Sequence, residues 1–405
     1  MKIFWGWRIV AAGCTIQFLI SWLMFQAFGA YFAVLAEEFG WSKTALSAAA
    51  ALQPMEAALL GPVLGWILDR FGPAGMIRSG ILGFGAGFFI LSQIETLPGF
   101  YLAFVVIALG TCLCGYFPLN VAVIHWFERR RARALSMLSL GFAAGGVFVP
   151  VVAWSMQNFG WRATALASGM IAILAGWPLS SVFKWRRPEE RGETVDGLPP
   201  APAAGGREEA AAQRDYTARD ALRTRAFWLL SLGHCFSLLV VYAVMVHAIT
   251  HMKETLGYSL AEASLVITLT TVAQVGGVMV GWAIGDRFEK RYIATACMMM
   301  HSVGLLMLTY ATGAAMLVGF AVLHGVAWGL RVPIMQAMRA DYFGRRAIGM
   351  ILGLASLVIV VGQIGGPMVA AALADWSGNY RTGFTFLAVL AALGSVFFML
   401  AKRPR

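Results

Sequence analysis

A chain of 405 residues that is 59% hydrophobic and only 13% charged, with a mean hydropathy of +0.72, lacks the charged surface that a water-soluble domain needs. Its five cysteines (Cys14, Cys112, Cys114, Cys235 and Cys297) all lie in apolar runs, where they act as small hydrophobic residues and not as a disulfide framework. Lipid is therefore the expected solvent, and the net charge of +11 has to be explained by topology before any polyanionic partner is invoked.

In chain order, the first eight residues lack a cleavable-signal pattern and lead into an apolar stretch over 9–35, longer than a signal-peptide core. A bilayer core of about 30 Å needs roughly 20 apolar residues per helical crossing. Apolar runs between charged or Gly/Pro-rich breaks predict twelve spans, at 9–34, 44–68, 77–95, 100–125, 134–156, 162–183, 226–250, 262–285, 292–311, 315–338, 347–371 and 382–401. Amides inside lipid must bond within their own segment unless a barrel closes, and barrel strands would alternate in polarity, so the predicted fold class is an all-α membrane protein. Residues 184–225 differ, being rich in Pro, Gly, Ala and mixed charge, as in Asp196 to Gly206. They read as a partly disordered linker with an amphipathic helix over Tyr216–Arg225. The predicted domains are a six-helix bundle over 1–183, a cytoplasmic linker over 184–225 and a second six-helix bundle over 226–405.

Lys and Arg accumulate on the cytoplasmic side of membrane proteins. With both termini inside, the inner segments hold 26 of the 31; the outer loops hold Lys43, Arg162, Lys253 and Arg381, and Arg331 remains within a span. No nucleic-acid partner is expected. The halves also repeat: Asp69-Arg70-Phe71 returns as Asp286-Arg287-Phe288 and Gly40-Trp41-Ser42 as Gly257-Tyr258-Ser259, both 217 residues on. Gly145 and Pro150 recur as Gly362 and Pro367 at the same offset, and Trp126-Phe127 as Tyr342-Phe343 at 216. Parallel six-span repeats predict a substrate site between the halves near mid-membrane.

Gly65-Trp-Ile-Leu-Asp69-Arg70-Phe71-Gly72, with Arg78 beyond it, resembles the signature of the major facilitator superfamily between spans two and three. The resemblance implies the major facilitator fold over the whole chain, with two pseudo-symmetric six-helix bundles. It also implies a cytoplasmic gate of Asp69, Arg70 and Arg78, echoed by Asp286 and Arg287. Trp5-Gly-Trp-Arg8, Glu38-Phe-Gly-Trp-Ser-Lys43, the run from Trp126 to Ala134 and Asn158-Phe-Gly-Trp-Arg162 are similar to the bacterial monocarboxylate transporter and oxalate/formate antiporter group. That likeness implies a bacterial inner-membrane protein that moves small organic anions. Animal monocarboxylate carriers place an Asp-Arg pair in span eight and a Lys in span one, and the oxalate exchanger uses an Arg in span eight and a Lys in span eleven. Here spans one and eleven have no Lys and residues 263–285 no ionisable residue, so the coupling mechanism is not carried over.

Two full charges fall deep within the predicted spans, Arg331 and Glu56. Arg331 lies 12 residues from Phe343, about 18 Å into its span at helical rise. Its guanidinium offers a carboxylate a rigid fork that stays charged at any working pH, against a structural role paired with Glu56 or helix-end carbonyls. Glu56 is a proton-coupling candidate, against a permanently protonated carboxyl bonded to a neighbouring helix. The repeat pairs Arg331 with Gly115, beside Tyr116, and pairs Asn120 with Gln336, Gln17 with His234 and Phe25 with Tyr242. The superfamily likeness makes spans one, four, seven and ten cavity-lining, so Tyr116, Asn120, Tyr242, His234 and Gln17 join Arg331 as candidate substrate-binding residues. His234 is also a proton-coupling candidate.

His324 shares a helix face with Arg331, whereas His301 reads as packing. His247 and His251 have a spacing that could hold a metal, but no Glu follows the first, and no metal is expected. Gly83-Phe-Gly-Ala-Gly87, Gly145-Gly146 and Gly365-Gly366 read as close helix packing.

The sequence thus predicts a secondary active transporter of a small monocarboxylate such as lactate or pyruvate, working by alternating access with proton symport. The alternatives are an organic-anion exchanger of the oxalate/formate type, a drug/proton efflux pump, which a mid-membrane Arg disfavours, and a transporter-like sensor. No nucleophile–base set stands out, so neither an enzyme nor a cofactor is expected. The expected partners are a small organic anion, a proton and the bilayer, with the monomer as the working unit.

Overall fold

A computed structural model describes residues 4–41, 43–198 and 215–404, without the side chains of residues 33, 43–53, 260 and 261. Twelve long helices follow one another among the described residues. They are α1 Trp5–Phe39, α2 Lys43–Phe71, α3 Pro73–Ser92, α4 Leu97–Trp126, α5 Arg131–Phe159 and α6 Trp161–Lys184, then α7 Arg225–Glu254, α8 Leu260–Ile284, α9 Lys290–Thr309, α10 Ala314–Phe343, α11 Ile348–Ser377 and α12 Arg381–Leu400. Eleven are long and apolar enough to cross a membrane, and α2, at 29 residues, completes the series. The chain is an all-α, multi-pass membrane protein.

Contacts divide it into two units, Met1–Ala212 with Ala347–Gly353, and Gln213–Arg346 with Leu354–Arg405. In unit 1, α1 packs on α5, α3 on α4 and α6, and α2 on α4; in unit 2, α10 packs on α8 and α9, and α12 on α7 and α9. Helices in lipid gain little from apolar contact alone, so close approach at small residues does the packing. A methyl at Gly141 of α5 would meet the Cys14 carbonyl of α1, and one at Gly145 would sit 2.5 Å from Ser21 Cβ. There α1 takes a π turn over Ser21–Phe25, and the Ser21 hydroxyl donates to the Phe142 carbonyl at 2.6 Å. Gly362, the repeat partner of Gly145, behaves alike, and Gly366 one turn on adds a second close approach: methyls at the two positions of α11 would lie 2.2 and 2.1 Å from the Cys235 and Leu239 carbonyl oxygens of α7.

Helix ends follow local chemistry. Gly40 and Gly257, which are repeat-related, both turn the chain with positive φ, at 63° and 78°. Thr224 caps α7, and Ser259 with Glu262 forms a capping box at α8. The helices run past their apolar cores: α1 extends to Phe39 through Glu37 and Glu38, and α10 to Phe343 through Arg339 and Asp341. Hydropathy reads those charged turns as loop, which is why the predicted spans end early.

The linker is more structured than predicted where it is described. Residues 181–197 form three 3-10 turns, and Glu193 accepts the Trp5 amide at 3.1 Å. Asp196, buried and at φ 61°, accepts the backbone amides of Glu128, Arg129 and Arg130 at 2.8–3.3 Å. In unit 2, Asp215 accepts the amides of Arg345 and Arg346 at 2.9 and 3.3 Å. The predicted helix over Tyr216–Arg225 is only Ala218–Leu222, because Thr224 caps α7 instead of continuing it. The hinge expected in the Pro/Gly-rich stretch falls largely at 199–214, outside the described residues.

At Gly365 a methyl would meet only Leu239 Cδ2, at 3.5 Å. Gly366→Ala is therefore expected to destabilise the protein by about 1–3 kcal/mol and Gly365→Ala by much less. Thermal unfolding of the two purified variants checks this, and equal melting temperatures would contradict the packing.

Candidate functional site

Two arginines are buried on α10, Arg331 at 0% and Arg339 at 2% exposure. Eight residues apart, they lie on one helix face, about 12 Å apart along the axis. Arg339 is a correction to the sequence reading, which counts Arg331 and Glu56 as the only deep charges: α10 runs one turn further than its apolar core, which takes Arg339 into the bundle. The signal was its two-turn spacing from Arg331. The helix is seated firmly, since methyls at Gly325 and Gly329 would lie 2.3 and 1.9 Å from the Thr270 and Gln274 carbonyl oxygens of α8.

His234 of α7 is also buried, and its Nδ1 accepts from an Arg339 Nη at 3.0 Å. Arginine only donates, so this nitrogen carries no proton and the ring is the neutral Nε2–H tautomer. Arg331 is within electrostatic reach of the same ring. Unit 2 thus gathers Arg331, Arg339 and His234. Tyr242, half-buried on α7, accepts through its hydroxyl from Gln363 of α11 at 3.1 Å, a partner that sequence reading missed.

Three of the unit 1 candidates, Gln17, Asn120 and Glu56, shield a polar atom that lacks a hydrogen-bond partner among the described residues. Gln17 is buried, with its side-chain nitrogen lacking a hydrogen-bond partner among the described residues. Asn120 donates to the Tyr116 carbonyl one turn back, while its Oδ1 has no such partner. Tyr116 is half-buried and follows Gly115, where α4 breaks at φ −92° and ψ −141°. Glu56 is half-buried on α2; its Oε2 also lacks a hydrogen-bond partner among the described residues, and its carboxylate is within electrostatic reach of Cys112 on α4. Shielded polar atoms of this kind ask for a ligand or water.

The signature between α2 and α3 has a defined geometry inside unit 1. The Asp69 carboxylate accepts the backbone amides of Gly349 and Met350 at 3.0 and 2.8 Å, capping the first turn of α11. A methyl at Gly65 would lie 2.5 Å from the Gly349 carbonyl oxygen, so the signature needs glycine one turn before the aspartate. Arg186, missed because it lies in the linker, donates to the Asp69 backbone carbonyl. Arg78 donates to the Ser180 hydroxyl at 3.3 Å, tying α3 to α6, and Arg70 lies over the rings of Trp66 and Phe71. In the repeat copy Asp286 is half-buried and Arg287 exposed.

The other motifs also find structural roles. Glu38 pairs with Arg162 at 2.5 Å and accepts from the Trp161 indole, bringing two of the quoted motifs together. His247 and His251 each engage a different carbonyl, those of Pro367 at 3.0 Å and Leu308 at 3.2 Å. A hollow of about 520 Å³ lined by Glu254, Asp375, Tyr380 and Arg381 sits at the ends of α7 and α11, remote in sequence from Arg331. Burial and the Glu254 and Asp375 carboxylates push the Tyr380 phenol up.

Apolar helices with buried, partly satisfied polar side chains in their spans suit a membrane transporter. The chain belongs to the Major Facilitator Superfamily, whose family model matches residues 14–248 and 230–405. It is 23% identical over 398 residues to Monocarboxylate transporter 13 of Bos taurus, an alignment covering 96% of this chain and 88% of that one. It is likewise 23% identical over 430 residues to Monocarboxylate transporter 12 of Xenopus laevis, covering 99% and 91%. Among solved structures it resembles the human organic anion transporter MFSD10 (TETRAN), with a TM-score of 0.77, 13% identity and coverage of 98% and 100%.

Because Asp69 accepts two amides at the first turn of α11, Asp69→Asn should slow transport by roughly two- to tenfold without reordering preference among tested substrates. Initial uptake rates for a panel of compounds decide this; a changed order of preference would assign Asp69 to substrate selection instead.

Proposed function

We propose that the protein is a secondary active transporter of a small organic anion, a monocarboxylate such as lactate or pyruvate, working by alternating access with proton symport. The observation that carries this reading is Arg331, a guanidinium at 0% exposure within a span. A charge in such a position is costly and is usually retained for function. Its planar fork matches a carboxylate, and as a permanent cation it disfavours organic cations as cargo. The likeness to monocarboxylate transporters over nearly the whole chain, and to an organic anion transporter in fold, supports the same substrate class.

In this reading Arg331 anchors the carboxylate, and His234, Tyr242, Gln17, Tyr116 and Asn120 contribute hydrogen bonds to the rest of the anion. Glu56 carries the coupled proton, and Asp69, Arg70 and Arg78, with Asp286 and Arg287, act as the cytoplasmic gate. The functional halves are residues 1–183 and 226–405, joined by the linker over 184–225, and the monomer is the working unit. The Lys and Arg asymmetry supports cytoplasmic termini. The relatives named above are vertebrate, so a bacterial inner-membrane setting rests on the sequence resemblance alone.

Arg331→Lys keeps the charge and loses the fork, so it should weaken L-lactate affinity at least about tenfold in proteoliposome uptake; wild-type affinity would remove the anchor role. Glu56→Gln should transport L-lactate without proton co-uptake, read with an internal pH dye. Unchanged coupling in that variant rules out Glu56 as the carrier.

A further inference from the structure

Within unit 2, outside the residues assigned above, α9 and α10 press two imidazoles together. His301 and His324 are both 0% exposed, and their ring centroids lie 4.6 Å apart at 69°. Their Nδ1 atoms are 3.1 Å apart, a hydrogen bond between two nitrogens of the same kind. Such a bond needs one donor and one acceptor. In the neutral pair one ring therefore carries its hydrogen on Nδ1 and has a bare Nε2, while the other has a bare Nδ1 and an Nε2–H. Neither Nε2 has a hydrogen-bond partner among the described residues. The pair thus encloses one lone pair and one N–H with nothing to bond, which makes a site for a single proton. Phe320, with its centroid 5.4 Å from that of His324, adds an aromatic face that attracts a cation.

The charges around the pair are few. Arg331, two turns beyond His324 and about 10 Å along the axis, is within electrostatic reach of both rings. Cys297, one turn before His301, is the other titratable group of α9 that this guanidinium reaches. On the helices packed against α9 and α10, α8 has no ionisable residue beyond Glu262 and α12 none beyond Arg381. From α7 come Arg225, Lys253 and Glu254 at its ends, and along it Cys235, Tyr242 and three histidines, of which His234 is taken by Arg339, His247 by the Pro367 carbonyl and His251 by the Leu308 carbonyl. Arg331 is thus the fixed cation nearest the pair on its own helix.

We propose that the His301–His324 pair is an anion-linked proton site, which takes up one proton when a carboxylate neutralises Arg331 and releases it when the carboxylate leaves. The inference rests on the reading of Arg331 as the anion anchor. It adds to Glu56 a second titratable locus, in the same unit as the anchor. Without a bound anion the guanidinium opposes a second positive charge on the imidazoles; a carboxylate on the fork cancels that opposition. Linkage is reciprocal, so the bound proton strengthens anion binding by the same factor. The atoms balance simply: a proton joins the bare ring nitrogen, and the pair goes from neutral to singly positive.

Ring-nitrogen NMR of the full-length protein labelled at its six histidines tests this, with His301→Asn and His324→Asn identifying the two resonances. The wild-type titration without added anion gives the reference midpoint of the pair. In Arg331→Gln its titration midpoint should rise by at least about one pH unit, the size expected for one charge at this distance in a protein interior. Saturating L-lactate should move the wild-type midpoint the same way; this arm uses wild-type protein and so decides the matter if Arg331→Gln does not fold. Identical titration in wild type and Arg331→Gln overturns the inference and leaves the proposed function standing. A shift in Arg331→Gln without one on adding L-lactate supports the Arg331-linked proton site and counts against the monocarboxylate reading.

Discussion

A fully buried guanidinium on α10 is the constraint on which unit 2 depends. A guanidinium has no neutral form to retreat to, so its surroundings must supply polar partners or leave room for an anion. The unit meets this with rigidity. Glycines at 325 and 329 let α10 rest on the backbone of α8. Two turns along, Arg339 has taken the nearest imidazole of α7 as an acceptor. Within electrostatic reach of Arg331 lie the rings of His301, His324 and His234 and the Cys297 thiol.

The internal repeat shows how one scaffold serves two roles. Both halves use glycine at matching positions, Gly145 and Gly362, to bring the fifth helix of each repeat onto the first. Both use a linker aspartate to cap the turn before that fifth helix, Asp196 in unit 1 and Asp215 in unit 2. The scaffold is therefore shared, and the chemistry is not. Where unit 2 carries Arg331, the matching position of unit 1 is Gly115, at which α4 breaks next to Tyr116. Where unit 2 carries His234, unit 1 has Gln17.

The membrane class, the span order and the repeat were legible in the sequence because each is a one-dimensional property: apolar runs of bilayer length, charge asymmetry in the loops, and motifs at a fixed offset. The signature aspartate was legible as well, although not its two acceptor contacts. Residues whose role depends on where a helix stops were lost. Arg339 looked like a loop residue until α10 was seen to reach Phe343, and Arg186 was hidden in a segment read only as linker. His301 looked like packing because its partner His324 is 23 residues away on the next helix, and no periodicity within one helix reports a contact between two. Asp196 was equally invisible, since nothing in a Pro/Gly-rich run marks the one residue that accepts three amides.

The central claim is that a buried guanidinium in unit 2 exists to bind an anion, and ligand-induced stabilisation tests it most directly. A series of small mono- and dicarboxylates would be added to purified wild-type and Arg331→Gln protein at two pH values and thermal unfolding followed. The account predicts that at least one small monocarboxylate raises the melting temperature of the wild type, more at the lower pH, and leaves that of Arg331→Gln unmoved. Stabilisation by none of the anions, or equal stabilisation of both proteins, would contradict it.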